Sequence, residues 1–160
     1  MTITNAAAVT RATKGCARLA GMITLNDEVR AALTSGHLAH LVTLNADGSP
    51  QVAIVWVGLD GDEIVSAHLS EAQRKLANVR RDPRVVLSLE TGGRNEFGLD
   101  HYLVVHGRAR VEPGGAPELL QRLAHVYLGP DVKFPPIDHP PPGFIMRITP
   151  ERLAGAGPWR

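Results

Sequence analysis

The stretch HLAHLVTLNADGSPQVAIVWVGLDGDEIVSAH, residues 37–68, constrains the fold more than any other part of the chain. Its apolar residues leave helical spacing for short strand-like runs, which are cut by Ala46-Asp47-Gly48 and by Asp60-Gly61-Asp62. Asp-Gly favours the positive backbone angles of tight hairpin turns, so the segment reads as three strands in an antiparallel meander.

The flanking sequence changes period. A helix begins near Asn26, buries Val29 and Leu33, and ends at the glycine of Ser35-Gly36-His37. After the meander, Ser70 followed by Gln73 matches a capping box, which predicts an N-cap at Ser70 and a helix over 71–81. RVVLSLET then reads as a fourth strand and HYLVVHGRARVEP as a long fifth one. Leu119, Leu120, Leu123, Val126 and Tyr127 at helical spacing predict a helix over 116–128, closed by Gly129. PDVKFPPIDHPPPG has too many prolines for regular structure and reads as a stiff loop. FIMRIT gives a sixth strand, and GAGPWR ends the chain. Six mostly antiparallel strands with about three helices point to an α+β, mainly β fold, a small barrel or sandwich in which closure removes exposed edges.

With 160 residues the chain suits a single core. Residues 1–22 are rich in small side chains without a periodic apolar face, so they read as a flexible N-terminal arm before one domain at 23–160. A net charge of +1 and an aromatic content of 4% argue against a nucleic-acid partner. The single cysteine, Cys16, excludes an internal disulfide and fits a reducing compartment. No run of about 18 apolar residues occurs, so no membrane span is expected and the cytoplasm is the expected location.

Direct catalytic chemistry finds little support. His37 and His40 lie three apart in one predicted strand, and His101 and His106 five apart in another. Both spacings put the rings on opposite faces, which argues against a shared metal ion. There is no nucleophile elbow, and GGRNEFG at 92–98 lacks the strand-to-helix context of a phosphate-binding loop. No catalytic side chain can be named, which suits a protein that borrows its chemistry from a cofactor.

One basic cluster stands out in HLSEAQRKLANVRRDPR, residues 68–84. Arg74 and Lys75 fall in the first turns of the predicted helix, where the exposed amides already act as roughly half a positive charge. A phosphate at that end would reverse the sign of the interaction; a solvated basic face is the plainer reading. His68, at the end of the third strand, lies where the body of such a ligand would be.

These residues carry a resemblance. Thr43-x-x-x-Asp47-Gly48-x-Pro50, the strand after that proline, Lys75 and Asn78 three apart in a helix, and Arg80-Arg81-Asp82-Pro83-Arg84 occur in an order similar to that of the pyridoxamine 5′-phosphate oxidase-like family. The similarity extends through HYLVVHGRARV and covers roughly residues 28–149, and it is greatest to the branch that uses the deazaflavin coenzyme F420. It implies a six-stranded antiparallel split β-barrel of the FMN-binding kind with flanking helices, forming a homodimer with two cofactor clefts at the interface. It also implies an F420-dependent oxidoreductase that passes a hydride to a small organic molecule. Lys75 would bind the cofactor phosphate, with Arg74 beside it and Asn78 one turn on. Pro50, Gln51, Val52, Ile54 and Val55 would line the ring, while His68, Leu69 and Ser70 lead to the phosphate. His101 and Tyr102 would come from the other subunit.

The FMN-dependent members carry an arginine-rich strand of the R-x-V-L-L-K type, and QVAIVWV departs from it, which suits the deazaflavin branch. FMN as cofactor, in an oxidase or reductase, is the alternative, and a non-catalytic flavin or deazaflavin carrier is a third reading. Arg80, Arg81 and Arg84 could begin a positive track for the polyglutamate tail of F420, or be ordinary cations at a helix C-terminus. The loops TGGRNEFGLD and PPIDHPPPG, the parts that would shape a substrate pocket, match nothing in the family pattern.

Overall fold

Both Asp-Gly turns form. Gly48 and Gly61 adopt φ of 83° and 63°, a conformation that costs a residue with a Cβ about 1 kcal/mol or more. The first turn joins β1 (Ala39–Leu44) to β2 (Pro50–Val55), paired from Leu44 with Pro50 to Ala39 with Val55. The second joins β3 (Gly58–Asp60) to β4 (Glu63–His68). The structure, a computed structural model, describes residue 21 and residues 23–159. Apart from Gly21, the expected arm at 1–22, Cys16 included, lies outside the described residues.

The expected six strands become seven, because the run after Pro50 breaks at Trp56 and Val57 into β2 and β3. The other elements are α1 (Asp27–Thr34), α2 (Arg74–Arg81), β5 (Arg84–Arg94), β6 (Asp100–Pro113), α3 (Ala116–Tyr127) and β7 (Phe144–Ala156). Strand β7 continues well past the expected FIMRIT, and His37 precedes β1 instead of standing in it. Helix α2 starts three residues later than the capping box suggests: Gln73 is its N-cap, and the Ser70 hydroxyl accepts from the Ala72 N–H in a tight turn.

Every neighbouring pair is antiparallel, in the order β2-β1-β5-β6-β7-β4-β3. Strands β2 and β3 are therefore opposite edges of the sheet, although only Trp56 and Val57 separate them in the chain. Laid flat at about 4.8 Å per strand, the edges would stand about 29 Å apart. The linker reaches at most about 10 Å. The sheet must curl until its edges approach, helped by a register shift in the β6–β7 ladder at Gly107, where a Cβ would run into the Thr149 carbonyl oxygen. The edges do not pair, so the expected closed barrel is an open, curled sheet with a seam.

Inside the curl, Leu41, Leu87, Leu89, Leu103, Val105 and Ile148 are buried to within 1% exposure. Helix α1 adds Val29 and Leu33, its first turn closed by Asn26, whose side chain accepts from the Val29 N–H at 2.9 Å. Helix α2 adds Leu76 and Val79. Helix α3 packs on β4 through Leu119, Leu123 and Val65, beside the seam. No described helix is long and apolar enough to cross a membrane.

Candidate functional site

A cleft of about 270 Å³ opens at the seam, between the end of β2 and the end of β4. One wall is apolar. Ile54 and Val55 come from β2 and Leu120 from α3, and Trp56 stands in the two-residue linker. The Trp56 ring stacks on Tyr127 at 5.1 Å and 15°, and meets Phe134 at 5.1 Å. Tyr127 is fixed in turn, since its hydroxyl accepts from the Val57 N–H at 2.9 Å and lies 3.0 Å from the His37 carbonyl. Phe134 belongs to the proline-rich segment, and Gln121 of α3 seats it there. The Phe134 N–H donates to Gln121 Oε1 at 2.9 Å, and Gln121 Nε2 donates to the Val132 carbonyl at 2.8 Å.

The other wall is polar and lacks partners. His68 ends β4 with only 4% of its surface exposed, and its Nε2 has no hydrogen-bond partner among the described residues. Gln73 Oε1, also buried, has none. Burial pushes the His68 pKa down to about 4, and the charge of Lys75 adds to that. The Gln73 amide pulls weakly the other way, so the two side chains are close, yet they do not meet in hydrogen-bond geometry. Lys75 also lines the cleft, partly buried, and burial lowers its pKa. Among the described residues it has neither a carboxylate nor a hydrogen-bond acceptor. It is the second residue of α2, a helix whose N-cap makes no side-chain bond to the free amides.

The remaining candidates separate. Arg74 does not share the cleft; it lines a second hollow of about 490 Å³ between the first turn and α2, with Asp47 and Ser49. The Asp47 carboxyl is held below its usual value chiefly by the Ser49 hydroxyl and N–H, with Arg74 a lesser cause. Asn78 is 3% exposed and engaged inside the fold: Nδ2 donates to Thr43 Oγ1 at 3.0 Å and to Asn45 Oδ1 at 3.1 Å, and Oδ1 accepts from Arg81 at 3.1 Å. Pro50, Gln51 and Val52 lie further along β2, where Gln51 Oε1 accepts from the Thr43 hydroxyl at 2.9 Å. Val55 is 6% exposed and packs in the core, while Val52 and Ile54 are 57% and 53% exposed on the opposite face. Leu69 and Ser70 continue from β4 towards α2 as irregular chain.

His101 and Tyr102 are remote. His68 pairs with Phe144 at one end of β7, whereas Tyr102 pairs with Ala156 at the other. The strand between them is about 40 Å long at roughly 3.3 Å per residue. The cations expected to form a track are occupied. Arg80 bonds Glu71 at 3.1 Å and stacks 5.1 Å from the Phe144 ring; Arg81 bonds the Leu44 carbonyl as well as Asn78; Arg84 pairs with Asp82 at 2.6 Å. No group of three or more His, Cys, Asp or Glu side chains among the described residues is placed to hold a metal ion.

Sequence reasoning did not find the parts played by Trp56, Gln73, Gln121 and Phe134. Gln73 gave a signal, but the capping-box spacing assigned it to the backbone. The aromatic wall unites residues 56, 127 and 134, which no local pattern links.

The fold is thus an open curled antiparallel sheet with a cleft at its seam, lined on the polar side by a lysine at a helix start. Residues 25–155 match the pyridoxamine 5′-phosphate oxidase family, and the chain belongs to it. No curated protein matches the chain. Among solved structures, a conserved hypothetical protein from Mycobacterium tuberculosis is 25% identical over 88% of this chain and 88% of its own, with a TM-score of 0.65. An F420 reductase is 24% identical over 78% of this chain and 94% of its own, with a TM-score of 0.61. An FAD-binding protein from Mesorhizobium loti is 18% identical over 82% and 94%, with a TM-score of 0.56. These likenesses show the shared fold.

Proposed function

We propose that the chain is an F420-dependent oxidoreductase acting on a small organic acceptor, with the seam cleft as its cofactor site. The observation that carries this is Lys75, a partly buried cation without a counter-ion among the described residues, at a helix start whose N-cap makes no side-chain bond. A buried charge without a partner is costly, and a phosphate there meets the ammonium and the free amides together. The rest of the cleft fits such a group: Ile54 and Trp56 offer an apolar surface for a flat ring. When bound, the deazaflavin supplies the hydride. The protein's share is to hold the phosphate, orient the ring and keep water from it.

FMN is the second reading, favoured by one observation. Arg80, Arg81 and Arg84 are all engaged within the fold, which leaves a polyglutamate tail without a free cationic track. A non-catalytic carrier would use the same contacts. A second copy of the chain completes the site in this proposal, bringing its His101 and Tyr102 to a cleft that the first copy's own cannot reach.

The test is the absorbance spectrum and mass of any co-purifying small molecule, followed by titration of F420 and FMN into the parent and Lys75→Ala. The variant should melt no lower than the parent and bind either cofactor roughly 10- to 100-fold more weakly, the scale of a lost charge-assisted contact. Unchanged affinity would place the phosphate elsewhere. Tighter binding of F420 at low salt, converging with FMN as salt rises, supports the first reading over the second.

A further inference from the structure

Two buried polar atoms in the cleft, His68 Nε2 and Gln73 Oε1, have no hydrogen-bond partner among the described residues, and the phosphate reading does not use them. Buried polar atoms are nearly always hydrogen-bonded, so such a pair needs an explanation. We propose that His68 and Gln73 form a hydroxyl-binding subsite beside Lys75 that takes the polyol chain joining a flavin-type ring to its phosphate, one ligand hydroxyl accepting from His68 Nε2–H and donating to Gln73 Oε1.

The donor set selects this chemistry. An amide oxygen can only accept, so the ligand must present a proton to Gln73. A carboxylate or a fully ionised phosphate has none to give, which separates this subsite from the Lys75 site. The apolar face of a ring has none either. A neutral imidazole carries a single N–H, and His68 is held neutral by its burial beside a cation. Of the groups on a flavin or deazaflavin, a hydroxyl both donates and accepts, and one hydroxyl satisfies both orphaned atoms. The placement agrees, because both residues line the cleft that holds Lys75 on its polar side and Ile54 and Trp56 on its apolar side.

The inference rests on the cofactor reading above, and its experiment separates the two. Lumiflavin carries the ring alone, riboflavin adds the polyol, and FMN adds the phosphate. The three are titrated into the parent, Gln73→Leu, His68→Phe and Lys75→Ala, with binding followed by fluorescence and each variant's fold checked by its melting curve. The same comparison is run with F420 and its phosphate-free chromophore. Gln73→Leu should weaken riboflavin and FMN about ten-fold each and leave lumiflavin unchanged, because a buried hydroxyl loses its acceptor. Lys75→Ala should weaken FMN alone. If Gln73→Leu leaves the riboflavin-to-lumiflavin ratio as in the parent, the hydroxyl subsite is wrong and the phosphate site stands. If Lys75→Ala fails to separate FMN from riboflavin, the phosphate site is wrong. His68 is the more deeply buried, so His68→Phe counts only where it melts as the parent does, and Gln73→Leu decides alone otherwise. Failure of every ring compound to bind the parent overturns both.

Discussion

At the scale of single residues, His68 ties the cleft to the stability of the whole chain. It stays neutral in the folded protein down to about pH 4, whereas a free imidazole takes up its proton near pH 6.5. As pH falls, the unfolded state binds that proton first, so the folded state is penalised progressively from about pH 6.5 to about pH 4 and no further below. The shift corresponds to on the order of 3 kcal/mol at roughly 1.4 kcal/mol per unit. The ion-paired carboxylates Glu63, Asp82 and Glu112 act lower: their pKa values are depressed, so their stabilisation holds above the ordinary carboxylate range and fades beneath it. His106, lowered by burial and by Arg152, acts in the same direction as His68. Urea midpoints measured from pH 7 to pH 5 should therefore fall steeply in the parent and less steeply in His68→Gln, with His106→Gln isolating the other share. An equal slope in the parent and His68→Gln would mean that His68 is not held neutral.

At the scale of elements, the sequence showed most of the frame but not the seam. The strand alternation, both Asp-Gly turns and the apolar spacing of α1 and α3 are local signals, and the elements stand where those signals place them. The start of α2 was misread because Ser70 and Gln73 have capping-box spacing, while Gln73 turns its amide into the cleft. The break at Trp56 has no local signal: the apolar run VAIVWV passes through it without a turn residue, and the bend is set by the curl of the sheet and by the seat of Trp56 on Tyr127. Asn78 shows the same limit. Its spacing from Lys75 suggested a ligand contact, but its amide fastens α2 to β1 through Thr43 and Asn45. Asn78→Leu should cost about 2 to 3 kcal/mol in urea unfolding, since buried partners are left unsatisfied. Cofactor affinity in the folded fraction should change less than about three-fold, within the error of such contacts. A large loss of affinity with intact stability would return Asn78 to the site.

At the scale of the whole molecule, the proposed second copy needs a surface to dock on, and the exposed apolar side chains offer one. Val52 and Ile54 on the edge strand are 57% and 53% exposed, and Leu38 beside them is 53% exposed. Phe97 and Leu99, at the tip of the β5–β6 hairpin, are 79% and 63% exposed. Large exposed apolar patches are characteristic of contact surfaces, and the proposed two-fold dimer would use the same patch twice. Sedimentation should give twice the chain mass, and Val52→Lys with Ile54→Lys should shift it towards the monomer. The stronger test asks which chain supplies which residue. If Lys75 of one copy and His101 of the other serve the same cleft, Lys75→Ala and His101→Ala dimers should each bind cofactor poorly. In a mixed dimer of the two variants, one cleft has lost both residues and the other keeps both. Unfolding the variants together and refolding them should restore parent-like affinity in about a quarter of the clefts, because half the dimers are mixed and each has one intact cleft. Were both residues to serve the cleft of their own chain, every cleft in the mixture would still lack one of them, and no tight-binding fraction would appear.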